Sequence, residues 1–377
     1  MGNPTKKLRV AVVGCGFIGA CHIDAIRRVG QAELVAVVDP NDQLRQRMVE
    51  IYRVQGFADV DTLLGSAEVD VVHNCTPHYL HKSVNERIIG AGKHVLCEKP
   101  LTTNSEDAEA LLKKLKLNKS LVHCVNFNYR MYPIVQQMKE QCQSGSIGRV
   151  MAVHGNYLQD HLLSDTDYNW KCDIACTGPS RCVADIGSHW MDLAQTITGA
   201  RITEVCAELA TFYPVRYAQT LSGERTPVQI ATEDYGAVLL RMDNGARGIF
   251  YVSNSSAGHK NDFHFEVDGS EHALQWKQET PNELWIGARG QPNQLLTRDP
   301  ALLTGEARAA VWLPAGHPEG WADAIRRNIH EFYRFILDGK RIGEHPCSFA
   351  TFEDGLQIIK LVEAILRSHS QGGWVRV

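Results

Sequence analysis

The chain has 377 residues, 44% of them hydrophobic, with a formal net charge of −4 at pH 7. That length favours two domains, and a slightly acidic balance without blocks of like charge argues against nucleic acid or an anionic membrane as partner. Eleven cysteines lack paired spacing, and no secretory leader precedes the first apolar strand, so a cytoplasmic location is expected. No apolar run approaches the roughly 18 residues that span a bilayer.

Leu8–Val13 reads as a buried parallel strand. Gly14, Gly16 and Gly19, with Phe17 and Ile18 between them, then form a turn that opens an amphipathic helix. This spacing suits a dinucleotide: Gly14 lets the chain turn, Gly16 lets backbone approach a pyrophosphate, and Gly19 lets helix and strand pack closely. The phosphates would sit at the positive end of the helix. A second strand, Leu34–Val38, ends at Asp39, whose carboxylate can accept both ribose hydroxyls and would repel a 2′-phosphate. NAD is therefore the expected cofactor, with NADP disfavoured.

Helix Asp42–Tyr52, a short segment at Asp61–Leu64, strand Val69–Cys75, helix His78–Ile89, strand His94–Cys97, helix Ser105–Leu117 and strand Leu121–Phe127 follow. Such alternation demands an α/β domain, residues 1–127, with a parallel sheet covered on both faces. Ligands lie beyond the carboxyl ends of such strands. That points to Thr76-Pro77-His78, Glu98-Lys99-Pro100 and Asn126–Arg130.

The pattern changes after residue 127. A helix over Pro133–Gln143 precedes strand-like runs at Val150–Leu158, Ile202–Phe212, Tyr235–Met242, Ala246–Val252, Phe263–Val267 and Ala273–Trp276. Asp243-Asn244-Gly245 and Asp268-Gly269 are hairpin signals. One helix, Asp185–Thr198, interrupts them. Residues 128–377 are thus expected to form an α+β domain on a large, mainly antiparallel, open-faced sheet that binds substrate and mediates oligomerisation. Gly287–Gly320 reads as a long loop. Two apolar helical stripes close the chain, one from Trp321 to Ile336 and one from Phe352 to Leu366; the C-terminal helix can pack back on the first domain.

With these residues in view, the chain resembles from end to end the glucose–fructose oxidoreductase / inositol dehydrogenase / MocA-like family (Gfo/Idh/MocA). Three matches carry the resemblance: VGCGFIG followed by Asp39; Glu98-Lys99-Pro100 as the family's EKP; and Asp185-Ile186-Gly187-Ser188-His189 as its D-x-x-x-H, with Asp192 following. The segment Cys75–His81 resembles the turn against the nicotinamide. The resemblance implies a Rossmann domain and cofactor contacts from Gly14, Gly16, Phe17, Ile18, Gly19, Asp39, Thr76, Pro77, His81, Glu98 and Lys99. The chain departs from the family pattern at Cys176–Arg181, where a glycine-rich run usually precedes the catalytic Asp.

The implied catalytic residues are Lys99, Asp185 and His189. Lys99 would donate to a substrate hydroxyl and favour the developing alkoxide. Asp185 and His189, four apart, share a helix face, so the carboxylate can orient the imidazole. His189 would take the hydroxyl proton while the carbon-bound hydrogen leaves as hydride. Substrate contacts are expected from Lys99, Tyr157, Gln159, Asp160, Trp170, His189 and His317, with Lys171, Glu319 and Trp321 nearby; such a mixture suits a carbohydrate or polyol. Cys172, Cys176 and Cys182 fit no paired zinc pattern, and no metal is expected.

These features read as an NAD-dependent dehydrogenase oxidising a secondary ring hydroxyl of a sugar, polyol or glycoside, with C3 of a glucosyl unit as one candidate. The alternatives are a glycoside hydrolase using bound NAD for transient C3 oxidation and elimination, and a non-catalytic NAD-sensing scaffold. A homodimer or homotetramer through the open sheet face is expected.

Overall fold

The computed structural model describes residues 7–219 and 223–377. The expectation about a secretory leader falls on the start of the chain, of which residues 1–6 lie outside the described residues. The chain divides into two compact units, Met1–Asn128 with Trp321–Leu356, and Tyr129–Gly320 with Gln357–Val377. Segment 321–356 thus rejoins the first unit late in the sequence.

In the first unit, β1 (Leu8–Val13), β2 (Ala32–Val38), β3 (Gln55–Phe57), β4 (Val71–Asn74), β5 (His94–Cys97) and β6 (His123–Val125) form a sheet in the order β3-β2-β1-β4-β5-β6. All neighbours are parallel. Helices α1 (Phe17–Val29), α2 (Asp42–Tyr52), α3 (Val60–Ser66), α4 (His81–Gly90) and α5 (Ser105–Leu115) make the connections. Because both sheet faces are covered, the central strands carry buried apolar runs: Val10, Ala11, Val12, Val71, Val72, Val95 and Leu96 are fully buried. Side chains of Asn41, Asp59 and Asn104 cap α2, α3 and α5. Helix Trp321–Leu337 packs on α1, burying Ile325, Ile329 and Phe332.

In the second unit, α6 (Pro133–Gln143) and β7 (Val150–Leu158) precede α7 (Ile174–Thr177) and α8 (Ser188–Thr198). The strands β8 (Ile202–Ala210), β9 (Val215–Gln219), β10 (Arg225–Gln229), β11 (Tyr235–Met242), β12 (Arg247–Ser253), β13 (Asp262–Gly269), β14 (His272–Lys277), β15 (Glu283–Ala288), β16 (Gln294–Thr297) and β17 (Val375–Arg376) follow. β9 and β10 form a separate hairpin; the others join β7 in a nine-stranded sheet ordered β16-β15-β14-β13-β7-β12-β11-β8-β17. Among the described residues only β7 and β12 of this sheet pair in parallel, so the sheet is mixed but mainly antiparallel. Residues alternate across it: Tyr157, Phe263, Phe265 and Val267 are buried, and Trp190 of α8 stacks on Phe250 at 4.5 Å between ring centroids.

Gly287–Gly320 is not the structureless loop expected. It holds the end of β15, all of β16, and a short helix at Gly305–Ala309. β16 is a four-residue edge strand behind Pro292 and Asn293, too short for a periodic signal. Buried Arg298 and Glu319 pair at 3.0 Å, and the Asn282 side chain accepts from both the Arg298 guanidinium and the Glu319 N–H, tying the segment down. Among the described residues no helix is long and apolar enough to cross a membrane.

Candidate active site

The glycine turn is sterically obligatory. Gly14 has φ +90°, and a Cβ there would lie 2.6 Å from the Cys75 carbonyl oxygen; a Cβ on Gly19 would lie 1.9 Å from that of Gly14. Only glycine lets α1 start this close to β1 and β4. Gly16 caps α1 without a side chain, and the first turn carries no acidic residue, so its N–H groups suit an anion. Phe17 is 79% exposed and stacks on Trp321 at 6.0 Å. Trp321, expected near the substrate, is therefore a neighbour of the glycine turn.

Asp39 is buried at the end of β2. Its Oδ2 accepts from the Cys15 N–H at 2.8 Å and its Oδ1 from that of Asn41 at 2.9 Å, which fixes the carboxylate and leaves acceptor capacity for a ribose. Arg45 folds back onto the Asp39 carbonyl at 2.7 Å and pairs with Asp42. After β4, the Thr76 hydroxyl donates to Asn74 at 2.7 Å. Both ring nitrogens of His81 face carbonyls, Pro100 O at 2.7 Å and Thr76 O at 2.8 Å. His81 therefore braces the Thr76-Pro77 turn against the Lys99-Pro100 turn, whose peptide bond is cis.

Glu98 ends a buried relay that the sequence reading missed. Its Oε1 faces His22 Nε2 at 2.8 Å and accepts from Asn126 at 2.5 Å, while Oε2 accepts from the Lys99 N–H at 3.3 Å. His22 Nδ1 lies 2.9 Å from His73 Nδ1, and His73 Nε2 lies 2.8 Å from the Tyr333 hydroxyl. Burial pushes His73 well below the ordinary imidazole value. Burial alone would raise Glu98, but bonding to His22 outweighs it and holds the carboxyl below its usual range. These contacts join Tyr333, His73, His22 and Glu98 in one chain of hydrogen-bonding groups that ends on the Glu98 carboxylate as acceptor. The sequence clue was a histidine inside the apolar strand Val71-Val72-His73-Asn74.

In the second unit, His189 is the second residue of α8 and 5% exposed. Its ring meets Tyr129 edge-on at 4.7 Å and lies 6.3 Å from Tyr157. The two tyrosine hydroxyls are 2.8 Å apart, and Asn261 bonds both. Burial pushes Tyr129 up to about 12, so it stays neutral. Asp185 does not continue α8 as an ordinary turn. Residues Val183–Gly187 form a π-helical turn, a device common at functional positions. Asp185 Oδ2 accepts from Lys171 Nζ at 2.7 Å, so a charged partner here is a lysine that the sequence placed only in a nearby loop. Arg130 holds Asp192 at 2.8 Å.

Two buried carboxylates shape the segment that departs from the family pattern. Glu233 Oε1 accepts from the Ser180 hydroxyl and the N–H groups of Arg181 and Val183 at 2.7, 3.0 and 2.9 Å, capping the π turn. Asp234 holds Arg181 and, at 2.7 Å, Arg216. Of the residues expected at substrate, Tyr157 is buried in the aromatic cluster, and Gln159 bonds Asn261 at 3.0 Å. Asp160 pairs with Lys260 and Trp170 is 42% exposed. His317 lies on the surface, and Glu319 is a buried anchor for the N–H groups of Trp312 and Leu313.

Residues 8–126 match an oxidoreductase family with an NAD-binding Rossmann fold, and residues 135–275 match the GFO/IDH/MocA C-terminal domain. The levoglucosan dehydrogenase of Pseudarthrobacter phenanthrenivorans is 27% identical over 99% of this chain and 98% of its own length. A solved levoglucosan dehydrogenase in complex with NADH and levoglucosan superposes with a TM-score of 0.88 at 26% identity, covering 99% of this chain and 100% of that one. An inositol dehydrogenase homolog from Azotobacter vinelandii, complexed with NAD+, gives 0.86 at 26% identity with complete coverage of both.

Proposed function

Because this chain belongs to the GFO/IDH/MocA family of NAD-binding oxidoreductases, we propose that it is an NAD-dependent dehydrogenase that oxidises a secondary ring hydroxyl of a sugar, polyol or glycoside to the ketone. The observation that carries this reading is the end-to-end likeness to a levoglucosan dehydrogenase, combined with a complete Lys99, Asp185, His189 set. NAD is preferred over NADP because the fixed Asp39 carboxylate offers acceptors to ribose hydroxyls and repels a phosphate.

The cofactor would be held by the Gly14–Gly19 turn with Phe17 and Ile18, by Asp39, and by the Thr76-Pro77 and Glu98-Lys99 turns that His81 braces. It supplies the hydride acceptor. His189 takes the hydroxyl proton, and Lys99 stabilises the charge that develops on that oxygen. Tyr129 keeps the imidazole in place through ring contact, and Lys171 holds the Asp185 carboxyl group in position. Tyr157, Gln159, Asp160, Trp170 and His317 remain candidates for reading the sugar.

A cytoplasmic homo-oligomer is part of the same reading. Leu239, Ile249 and Tyr251 share the outer face of the large sheet by register and are 45, 49 and 41% exposed, an apolar stripe suited to burial against a second copy. The test is a substrate panel of levoglucosan, inositol, free hexoses, glycosides and sugar phosphates, with NADH formation followed by absorbance. A sugar or polyol giving one NADH per ketone supports the assignment. Silence across the panel with NAD demonstrably bound would refute it.

A further inference from the structure

On the outer face of the large sheet, four metal-ligating side chains occupy facing positions of two adjacent strands. His154 of β7 pairs in register with Glu266 of β13, and His264 and Asp268 stand two residues to either side of Glu266 on the same face. Their donor atoms converge without bonding one another. His154 Nε2 lies 3.8 Å from Glu266 Oε1 and 3.4 Å from Asp268 Oδ2. His264 Nε2 lies 3.6 Å from Glu266 Oε2, is shielded from solvent, and has no hydrogen-bond partner among the described residues. The two imidazole rings are 6.3 Å apart between centroids, and Gln275 holds Glu266 Oε2 at 2.7 Å from the neighbouring strand. Among the described residues, the donors of His154, Glu266 and Asp268 are the one such trio lying within 4.8 Å of each other.

The spacing is wider than a closed hydrogen bond and leaves room for an ion between the donors. A charge-assisted N–H···O bond closes to about 2.7–2.9 Å. Two ligands of a tetrahedral zinc, each about 2.0–2.2 Å from the ion, are instead roughly 3.4 Å apart. The His154–Asp268 distance of 3.4 Å matches the second value, and the His154–Glu266 distance of 3.8 Å is somewhat wider. The ligand set joins two carboxylates to two imidazole nitrogens, which matches a borderline dication better than Ca2+ or Mg2+, whose sites are built from oxygen alone. The strand alternation places the cluster on the face opposite Tyr157 and Phe263, hence away from His189 and its aromatic neighbours.

We propose that His154, Glu266 and Asp268, with His264 as a fourth donor, form a divalent transition-metal site of the zinc type on the outer sheet face. The site stands apart from the hydride chemistry. It pins β7 to β13 on the face that carries the apolar stripe.

Isothermal titration of the full-length protein with Zn2+ tests this, with His154→Ala and Asp268→Asn measured alongside. The wild type is expected to bind one more Zn2+ per chain than either variant, the difference persisting after surface cysteines are alkylated. Both variants should retain the wild-type melting profile in chelator and unchanged NAD affinity. Equal stoichiometry in all three proteins overturns the site, as does the absence of any binding by the wild type.

Discussion

At the scale of single residues, the catalytic roles make separable demands. His189→Ala and Lys99→Ala are each expected to lower kcat by roughly 10²–10⁴-fold, with NAD affinity nearly unchanged by fluorescence titration. A variant with full turnover would remove that residue from the chemistry. Asp39→Ala should raise the KM for NAD by about 10–100-fold, the equivalent of a lost hydrogen bond to a charged group, while affecting NADP far less. Equal effects on both cofactors would show that Asp39 acts only on the fold of its turn. The glycines, Asp39 and Glu98-Lys99 were legible because each stands where a parallel strand ends. Tyr129, within the Asn126–Arg130 strand end, and Lys171 were legible by position but not by partner. Their contacts with His189 and Asp185 come from segments 60 and 14 residues away in sequence, so spacing carries no trace of them.

At the scale of elements, the alternating first unit was readable because each buried strand carries apolar residues in an unbroken stretch that helices then separate. The edge strands β3 and β16 were not, because they are largely exposed and carry no buried apolar run. The π-helical turn at Val183–Gly187 was read as plain helix, since what supports it is Glu233, about fifty residues downstream. Two substitutions probe how these elements are held. Gly19→Ala forces a methyl into the Gly14 carbonyl and should abolish measurable NAD binding while leaving the second unit's near-UV signal intact. Asp234→Asn strips the charge partner from buried Arg181 and Arg216 and should cost about 3–5 kcal/mol in urea unfolding. A loss below about 1 kcal/mol would show that main-chain carbonyls alone satisfy both guanidiniums.

At the scale of the whole molecule, buried neutral histidines set the acid limit. His73 is pushed well below the ordinary value and His123 down to about 4, both chiefly by burial. Below about pH 6.5 the unfolded chain takes up protons that the folded chain refuses, so stability must fall with pH from there to about 4. Each such histidine contributes up to about 1.4 kcal/mol per pH unit. Above about pH 7 both states hold these imidazoles neutral, and the contribution vanishes. Urea midpoints measured at about pH 7.5, 6 and 5 should be steady and then decline; a flat series would mean that these imidazoles are protonated in the fold.

The most direct test of the proposed chemistry is product bookkeeping with a substrate that the panel identifies. NADH and ring ketone should accumulate together, one for one, and both should vanish in His189→Ala. Release of an aglycone with NAD returned unchanged each turnover would contradict it and mark the enzyme as an NAD-dependent glycoside hydrolase.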